Sequence, residues 1–443
     1  MDEVDDERGG ARPERVGSHG GSRAAAPSSS HASRSSDGER EPPRKKRRRT
    51  RRKGRRTAAA GEVAKATAGV SDASASKRRR TKKRPRPDLY AALDLGTNNC
   101  RLLVARPARD REIQVVDSFS RIVRLGEGLG ATGELAGAAM DRAVDALKVC
   151  ASKIRSKQLR GVRLIATEAC RRAGNGQSFL DRIQSETGLE LEIVNRETEA
   201  RLSVSGCGGL VDKRAKGAVL FDIGGGSSEL SLLEIGRRRR RRGKKGDRAR
   251  GGARPRMAAW TSLPLGVVTL SEKHGGGRDV TRAIFDDMVE DVMEHIGRFE
   301  KRDAIRDAVE SENIHLLGTS GTVTTLAGVH LKLPRYDRRR VDGIWMGTKD
   351  IDRVIDDLLE MTFEERMGNP CIGRDRADLV LAGCAILVAI RRTWPCDRLR
   401  VADRGLREGI LNELMQADGA WARLAQRGAQ GGAQGGAQHE AKA

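Results

Sequence analysis

The sequence predicts an α/β protein whose body carries one small unit twice. An apolar run, Leu89-Tyr90-Ala91-Ala92-Leu93, feeds into Asp94-Leu95-Gly96-Thr97-Asn98-Asn99. The same design returns as Ala218-Val219-Leu220-Phe221 feeding into Asp222-Ile223-Gly224-Gly225-Gly226-Ser227-Ser228-Glu229, 128 positions on from Asp94 to Asp222. Between and after these units, segments of helical periodicity alternate with short apolar runs, the pattern of a mixed fold rather than an all-helical or all-strand one.

Each element follows from local pattern. The first apolar run and the next one, Arg101-Leu102-Leu103-Val104-Ala105, make a hairpin whose turn holds an Asp, a Gly and small polar side chains. After Thr132-Gly133, residues Glu134 to Ile154 repeat apolar positions at helical spacing. Val162 to Ala166 reads as a buried strand, Ser178 to Glu186 as a helix, and Leu189 to Val194 as a strand. A helix runs from Glu197 to about Val204 and leads into the second unit, whose return strand is Leu230 to Leu233. Downstream lie a helix at 280–300, a strand at His315 to Leu317, and a helix opened by Gly318-Thr319-Ser320-Gly321-Thr322. A buried helix near 376–392, a strand Leu399-Arg400-Val401 and a helix from Leu406 to Met415 close the body. The Gly/Ala/Gln-rich segment after about 419 reads as a mobile tail.

Charge is distributed unevenly. The 443 residues hold 85 Lys and Arg against 61 Asp and Glu, a net of +24. Residues 1–87 carry 26 basic and 11 acidic side chains, and 236–256 carry 12 and one, which leaves the remainder at 47 and 49. A nearly neutral body therefore bears two cationic appendages, and the basic balance says nothing about the fold. The first, Ser-, Gly-, Arg- and Ala-rich, has too little apolar surface to offset chain ordering and reads as disordered. The second falls where the second hairpin turns back and reads as a projecting loop. The longest apolar run, Leu379 to Ile390, has 12 residues and is too short to span a bilayer. The acidic Met1-Asp2-Glu3 start lacks the apolar core of a secretory signal. Seven Cys without a CxxC pair read as reduced, packed thiols of a cytoplasmic protein, and seven scattered His give no zinc spacing.

The chemistry lies in the two turns. Glycine-rich hairpins present backbone N–H groups with no Cβ in the way, and so form anion-binding concavities. Thr97, Ser227 and Ser228 add hydroxyl donors. Asp94 and Asp222 suit such a place if a divalent cation or its water shell separates them from phosphate. One glycine turn is weak evidence; a matched pair predicts a phosphate chain clamped across a cleft. Hydrolysis further needs a carboxylate beside the attacking water. Glu168, Glu197, Glu199 and Glu229 are all candidates, and pattern does not choose among them, because helix N-termini favour acidic residues anyway.

Several stretches taken together resemble the Ppx/GppA phosphatases, exopolyphosphatases and guanosine pentaphosphate phosphohydrolases of the sugar kinase, actin and heat-shock ATPase superfamily. They are Ala92 to Asn98, Ala166-Thr167-Glu168-Ala169-Cys170-Arg171-Arg172-Ala173, Glu197-Thr198-Glu199-Ala200-Arg201-Leu202 and Phe221 to Leu230. Ser262-Leu263-Pro264-Leu265-Gly266, Gly318 to Thr322 and Leu406-Arg407-Glu408-Gly409 complete the set, in family order over about 88–418. The resemblance implies two actin-like (ribonuclease H-like) subdomains, 88–201 and 202–402, flanking a cleft, with a helix at 403–418 packing back on the first. It implies Glu199 as catalytic base at the hinge. Gly96, Thr97, Asn98, Arg171, Gly224, Gly225, Gly226 and Ser227 would bind phosphate, and Asp94, Asp222 and Glu229 would hold Mg²⁺ or Mn²⁺. Members often carry a second Glu directly before the base; here that position is Thr198, with Glu197 one step further back. The family is commonly dimeric.

The expected activity is that of an exopolyphosphatase attacking the terminal phosphoanhydride of inorganic polyphosphate, favoured by the lack of an appended downstream module. The alternative is hydrolysis of pppGpp, which the same motifs permit. A non-catalytic polyanion-binding protein and a polyphosphate-driven ADP phosphotransferase are further readings. The cationic segments read either as a tether for polyphosphate or nucleic acid, or as solvated surface insertions. Few aromatics interleave with the arginines, which disfavours base stacking.

Overall fold

The structure, a computed structural model, describes residues 88–236, 255–311 and 313–426. The expectations for the basic N-terminal segment, for nearly all of the second basic insertion and for residues 427–443 lie outside that set. All described residues fall in the unit Thr81–Ala443.

Two sheets form the frame. The first has the order β3-β2-β1-β4-β5, from β1 (Leu89–Leu95), β2 (Asn99–Pro107), β3 (Ile113–Ile122), β4 (Leu159–Ala166) and β5 (Glu192–Ile193). The second has the order β10-β11-β9-β6-β7-β8. Its strands are β6 (Gly217–Ile223), β7 (Ser228–Ile235), β8 (Pro255–Leu263), β9 (Ile314–Thr319), β10 (Trp345–Gly347) and β11 (Arg398–Ala402). In both sheets the repeated hairpin is antiparallel and its first strand pairs in parallel with a later one, β1 with β4 and β6 with β9. The central strands are apolar on both faces because both faces are covered. Ala91, Leu93 and Leu95 enter one core with the helices Gly137–Arg155 and Gly176–Thr187, while Tyr90 and Ala92 enter another with Leu202, Ile410 and Met415. The second sheet repeats this alternation, with Val219, Phe221 and Ile223 on one side and Ala218 and Leu220 on the other.

The helices Arg196–Cys207 and Leu406–Ala417 cross at glycines. A Cβ on Gly409 would lie 1.9 Å from Leu202 O, and one on Gly206 would lie 2.0 Å from Gly405 O. This close approach fixes the helix that carries Glu199 against the one that carries Arg407 and Glu408. Among the described residues no helix is long and apolar enough to cross a membrane, and the run near 379–390 is the buried helix Val380–Thr393. All seven cysteines are free, and six are buried.

Three details differ from the expectations. The strand expected over Leu189 to Val194 shrinks to two residues, because only Glu192 and Ile193 find partners on the edge of β4. Strands β3 and β8 carry no clean apolar alternation, and the sequence pattern does not predict them. The expectation of a mobile tail from about 419 fails over residues 420–426, which are helical, with Ala420 buried and Trp421 packed on the core that holds Tyr90; its remainder lies outside the described residues.

Candidate active site

The two Asp-x-Gly turns are built alike and touch. Gly96 N–H donates to Asn99 O at 2.9 Å, and Gly224 N–H donates to Ser227 O at 2.9 Å, the same bond in each turn. A Cβ on Gly225 would lie 3.0 Å from Thr97 Cβ and 3.1 Å from Asn98 N; one on Gly226 would lie 2.7 Å from Thr97 Oγ1. Only glycine permits this approach at 225 and 226, so these two glycines, which the first turn does not repeat, are explained by contact between the turns. Together they form part of the wall of a cleft of about 540 Å³.

Hairpin register gives the two turns different chemistry. Asp94 pairs across its ladder with Arg101, whereas Asp222 pairs with Glu229 at the corresponding place. One half thus offers a carboxylate and a guanidinium, the other two carboxylates. Asp222 Oδ2 accepts from Ser203 Oγ at 2.8 Å. Glu229 Oε1 accepts from Ser227 Oγ at 2.8 Å and from Ser262 Oγ at 2.9 Å. Burial, then the Asp222 charge, pushes the Glu229 carboxyl up to about 7. Burial likewise raises Asp94 and Asp222, with Arg101 opposing it in both cases.

Glu199 sits in the first turn of the helix Arg196–Cys207, which Asn195 caps by accepting from Thr198 N at 2.8 Å. The carboxyl is buried against the cleft and held well above the ordinary range, first by burial and then by the Glu229 charge. Arg171 opposes that rise: its Nη1 and Nη2 both donate to Glu199 Oε2 at 3.2 Å. Of the other candidate carboxylates, Glu197 is exposed and outside the cleft. Glu168 faces it but is committed to two guanidiniums, Arg171 Nη2 at 2.5 Å and Arg196 Nη2 at 2.8 Å.

Gly96, Thr97, Asn98, Gly224, Gly225, Gly226, Ser227, Asp94, Asp222, Glu229 and Glu199 are therefore brought together on one cleft. Arg171 is placed differently from the expectation that it meets phosphate. It is not among the cleft-lining residues, and its bonds go to Glu168, Glu199 and Val194 O. The reason is local charge, since two buried carboxylates converge on it.

Sequence reasoning missed the cleft's arginines Arg101, Arg338, Arg376, Arg404 and Arg407, and the lining residues Tyr336 and Asp403. A partial signal existed: Arg101 follows Asp94 at the spacing by which Glu229 follows Asp222, and Arg407 lies inside a quoted motif. Ser320, whose φ of 79° is rare for a residue with a side chain, opens the helix Gly321–His330 at the cleft wall.

A model of the Ppx/GppA phosphatase family matches residues 103–418. A guanosine-5'-triphosphate,3'-diphosphate pyrophosphatase of Photobacterium profundum is 28% identical over 338 residues, 75% of this chain and 60% of that protein. The chain thus spans about three fifths of the length of that relative. Among solved structures, an exopolyphosphatase-like protein is 29% identical with a TM-score of 0.63, over 74% of this chain and 99% of that one. The Ppx/GppA family member of Aquifex aeolicus is 27% identical with a TM-score of 0.58, over 75% and 98%.

Proposed function

Because the chain belongs to the Ppx/GppA phosphatase family, we propose that it is a phosphoanhydride hydrolase that removes the terminal phosphate of pppGpp. The observation that carries the hydrolase reading is the contact of two amide-lined turns beside a buried carboxylate, Glu199. The guanosine substrate is taken from the curated relative's name. A phosphate chain laid over the turns accepts N–H bonds from Thr97, Asn98, Gly225 and Gly226 and a hydroxyl bond from Thr97. The Gly96 and Gly224 amides close the turns themselves, and Ser227 Oγ donates to Glu229. Arg101 and Arg407 supply positive charge from the facing walls. Glu199 takes a proton from water as the water oxygen bonds to the terminal phosphorus. The bridging P–O bond breaks, and the electron pair leaves on the shortened nucleotide. A carboxyl raised by burial is a stronger base near neutrality than an exposed one. Arg171, bonded to Glu199 and to Glu168, holds the base in place and keeps it ionisable.

Mg²⁺ (or Mn²⁺) suits this donor set in one mode only. Among the described residues no group of three His, Cys, Asp or Glu side chains is arranged to hold a metal ion by itself, so an all-protein cage does not fit. A hydrated cation shared between one or two carboxylates and phosphate oxygens does fit. Asp94, whose carboxylate accepts no hydrogen bond among the described residues, and Asp222 are the best placed, while one Glu229 oxygen is occupied by two hydroxyls. When bound, the ion would offset charge on the phosphate oxygens. The orphaned, buried Asn98 Oδ1 and Asn99 Oδ1 are further acceptors for its water shell or for substrate.

Inorganic polyphosphate is the second reading. It is favoured by the match to nearly the whole of the exopolyphosphatase-like structure, against three fifths of the guanosine pyrophosphatase relative. Purified protein with Mg²⁺, given pppGpp, polyphosphate and ATP in parallel, decides between them by released phosphate. A kcat/KM for pppGpp at least about tenfold above the others is expected. A preference for polyphosphate would transfer the assignment, and no release from either anhydride would sink the hydrolase reading.

A further inference from the structure

The cationic runs of the sequence take no part in the cleft chemistry, and the fold shows where one of them is attached. The run 236–256, with 12 Lys and Arg against one Asp, leaves β7 at Ile235 and enters β8 at Pro255. These two residues pair with each other, and Glu234 pairs with Gly217 at the start of β6. The attachment therefore lies at the opening end of β6. Asp222 and the glycine turn lie at its closing end, about 17 Å away along the strand.

The opening end of the sheet also carries an aromatic ring held by arginines. Trp345 in β10 pairs across the ladder with Arg400, and Arg398 opens β11. The guanidinium carbons of Arg398 and Arg400 lie 4.5 and 4.7 Å from the centre of the Trp345 ring. Few aromatics interleave with arginines along the sequence, yet two strands bring these three together. His315, fully buried, meets the indole edge-on at 4.9 Å and fixes its orientation. Met346, Leu399 and Val401 enter the large core of this sheet, so Trp345, Arg398 and Arg400 project from the other face. Trp345 and Arg400 are half-buried, and Arg398 keeps 34% of its side chain exposed. Strand β7 stands three places from β11 in the same sheet, about 14 Å away.

The positive charge here is not spent internally. Arg398 meets Asp212 Oδ2 at 3.0 Å, the one acid that an ion pair ties to these three residues among the described residues. Arg400 has no ion pair among them, and its Nε is buried without a hydrogen-bond partner. Arg214 shares the Asp212 carboxylate at 3.6 Å, and Lys213 and Lys216 are exposed on the same segment. An indole held against guanidiniums offers flat faces for stacking, and the guanidinium edges offer donors to phosphate. A chain of bare phosphates uses only the donors. A single-stranded nucleic acid uses both, because its bases are free to stack, whereas a duplex hides their faces.

We propose that this end of the second sheet is a docking surface for single-stranded nucleic acid, whose bases stack on Trp345, Arg398 and Arg400 while the surrounding cations hold its phosphates. The surface is remote from the cleft, so it holds a partner and not the substrate, and it does not depend on which anhydride is hydrolysed.

Fluorescence anisotropy of the full chain tests it, with a labelled oligothymidylate of about 15 nucleotides and an abasic strand of the same length and charge. Cationic residues elsewhere attract both strands alike, so the difference between them reports stacking. Wild type should bind the thymidylate at least about tenfold more tightly than the abasic strand. Trp345→Ala should bring the two to within about threefold and leave the abasic affinity unchanged. Inorganic polyphosphate of equal charge should displace the labelled thymidylate at least about tenfold less well than unlabelled thymidylate does. Equal binding of the two strands, binding of neither, a preference that survives Trp345→Ala, or equal displacement by polyphosphate would overturn the surface. Should Trp345→Ala not fold, Arg400→Gln takes its place and should cut the preference at least about threefold. An unchanged preference in that variant would overturn the surface too. The readout is binding, so it stands whether or not the chain releases phosphate from pppGpp.

Discussion

At the level of single residues, the proposed mechanism makes turnover depend on Glu199 and Arg171 as a unit. Glu199→Gln keeps the shape and removes the base, so kcat for phosphate release should fall by roughly 10²–10⁴-fold. Substrate affinity, measured by calorimetry, should move by less than about threefold, since the proposed phosphate contacts are made by the turns and not by Glu199. Arg171→Lys leaves a charge but loses the paired donation to Glu199 Oε2. With that stabilisation weakened the Glu199 carboxyl rises further, so the acidic limb of the kcat pH profile should move to higher pH. An unmoved limb with a uniformly lower rate would mean that Arg171 only supports packing. The sequence made the places of Asp94 and Asp222 in the cleft legible, because both sit in contiguous Asp-x-Gly motifs, whereas pattern left Glu199 one of four carboxylates and only the family resemblance singled it out. It did not reveal where Arg171 points, since Val194 O and Glu168 meet it only after β4, β5 and the next helix have folded.

Among elements, the repeated hairpin was readable because an apolar run, a glycine turn and a second apolar run are local signals. Strand β3 was not: it lies at a sheet edge, and it leaves Val115 and Val116 exposed at 43% and 47%, so its composition does not announce a buried face. The crossing of helices Arg196–Cys207 and Leu406–Ala417 was likewise invisible, since a glycine within a helix can serve many purposes. Here it has one. Gly409→Ala forces a methyl to within 1.9 Å of Leu202 O. The variant should lose about 1–3 kcal/mol of stability by chemical denaturation. Its kcat should fall as the helix bearing Glu199 shifts. Unchanged stability would show that the two helices can slide apart freely.

Across the whole molecule, the two sheets join where Arg124 clasps Asp378 at 2.7 and 2.9 Å and Gly128 N–H donates to Glu272 Oε1 at 3.0 Å. The two-fold internal design was legible from the spacing of the Asp-x-Gly units; these long-range clasps were not, because nothing local marks them. Confining so many carboxylates in one cleft has a global cost that depends on pH. Glu229 titrates near 7 in the folded protein against an ordinary 4.5, so the folded state holds a proton that the unfolded chain has given up over that window. Its contribution to stability is complete below 4.5 and is lost as pH rises through 7. Without divalent cation, Glu229→Gln should therefore melt at least about 2 °C above wild type at about pH 8 and no higher than wild type at about pH 5. A variant less stable than wild type at the alkaline end would contradict that sign.

In the proposed mechanism, water directed within this cleft attacks the terminal phosphorus of a chain held by the two turns. A single-turnover reaction of wild type with pppGpp in ¹⁸O-labelled water tests it most directly. One solvent oxygen is expected in the released inorganic phosphate and none in the nucleotide product. Label in the nucleotide, or release of pyrophosphate in place of phosphate, would contradict it.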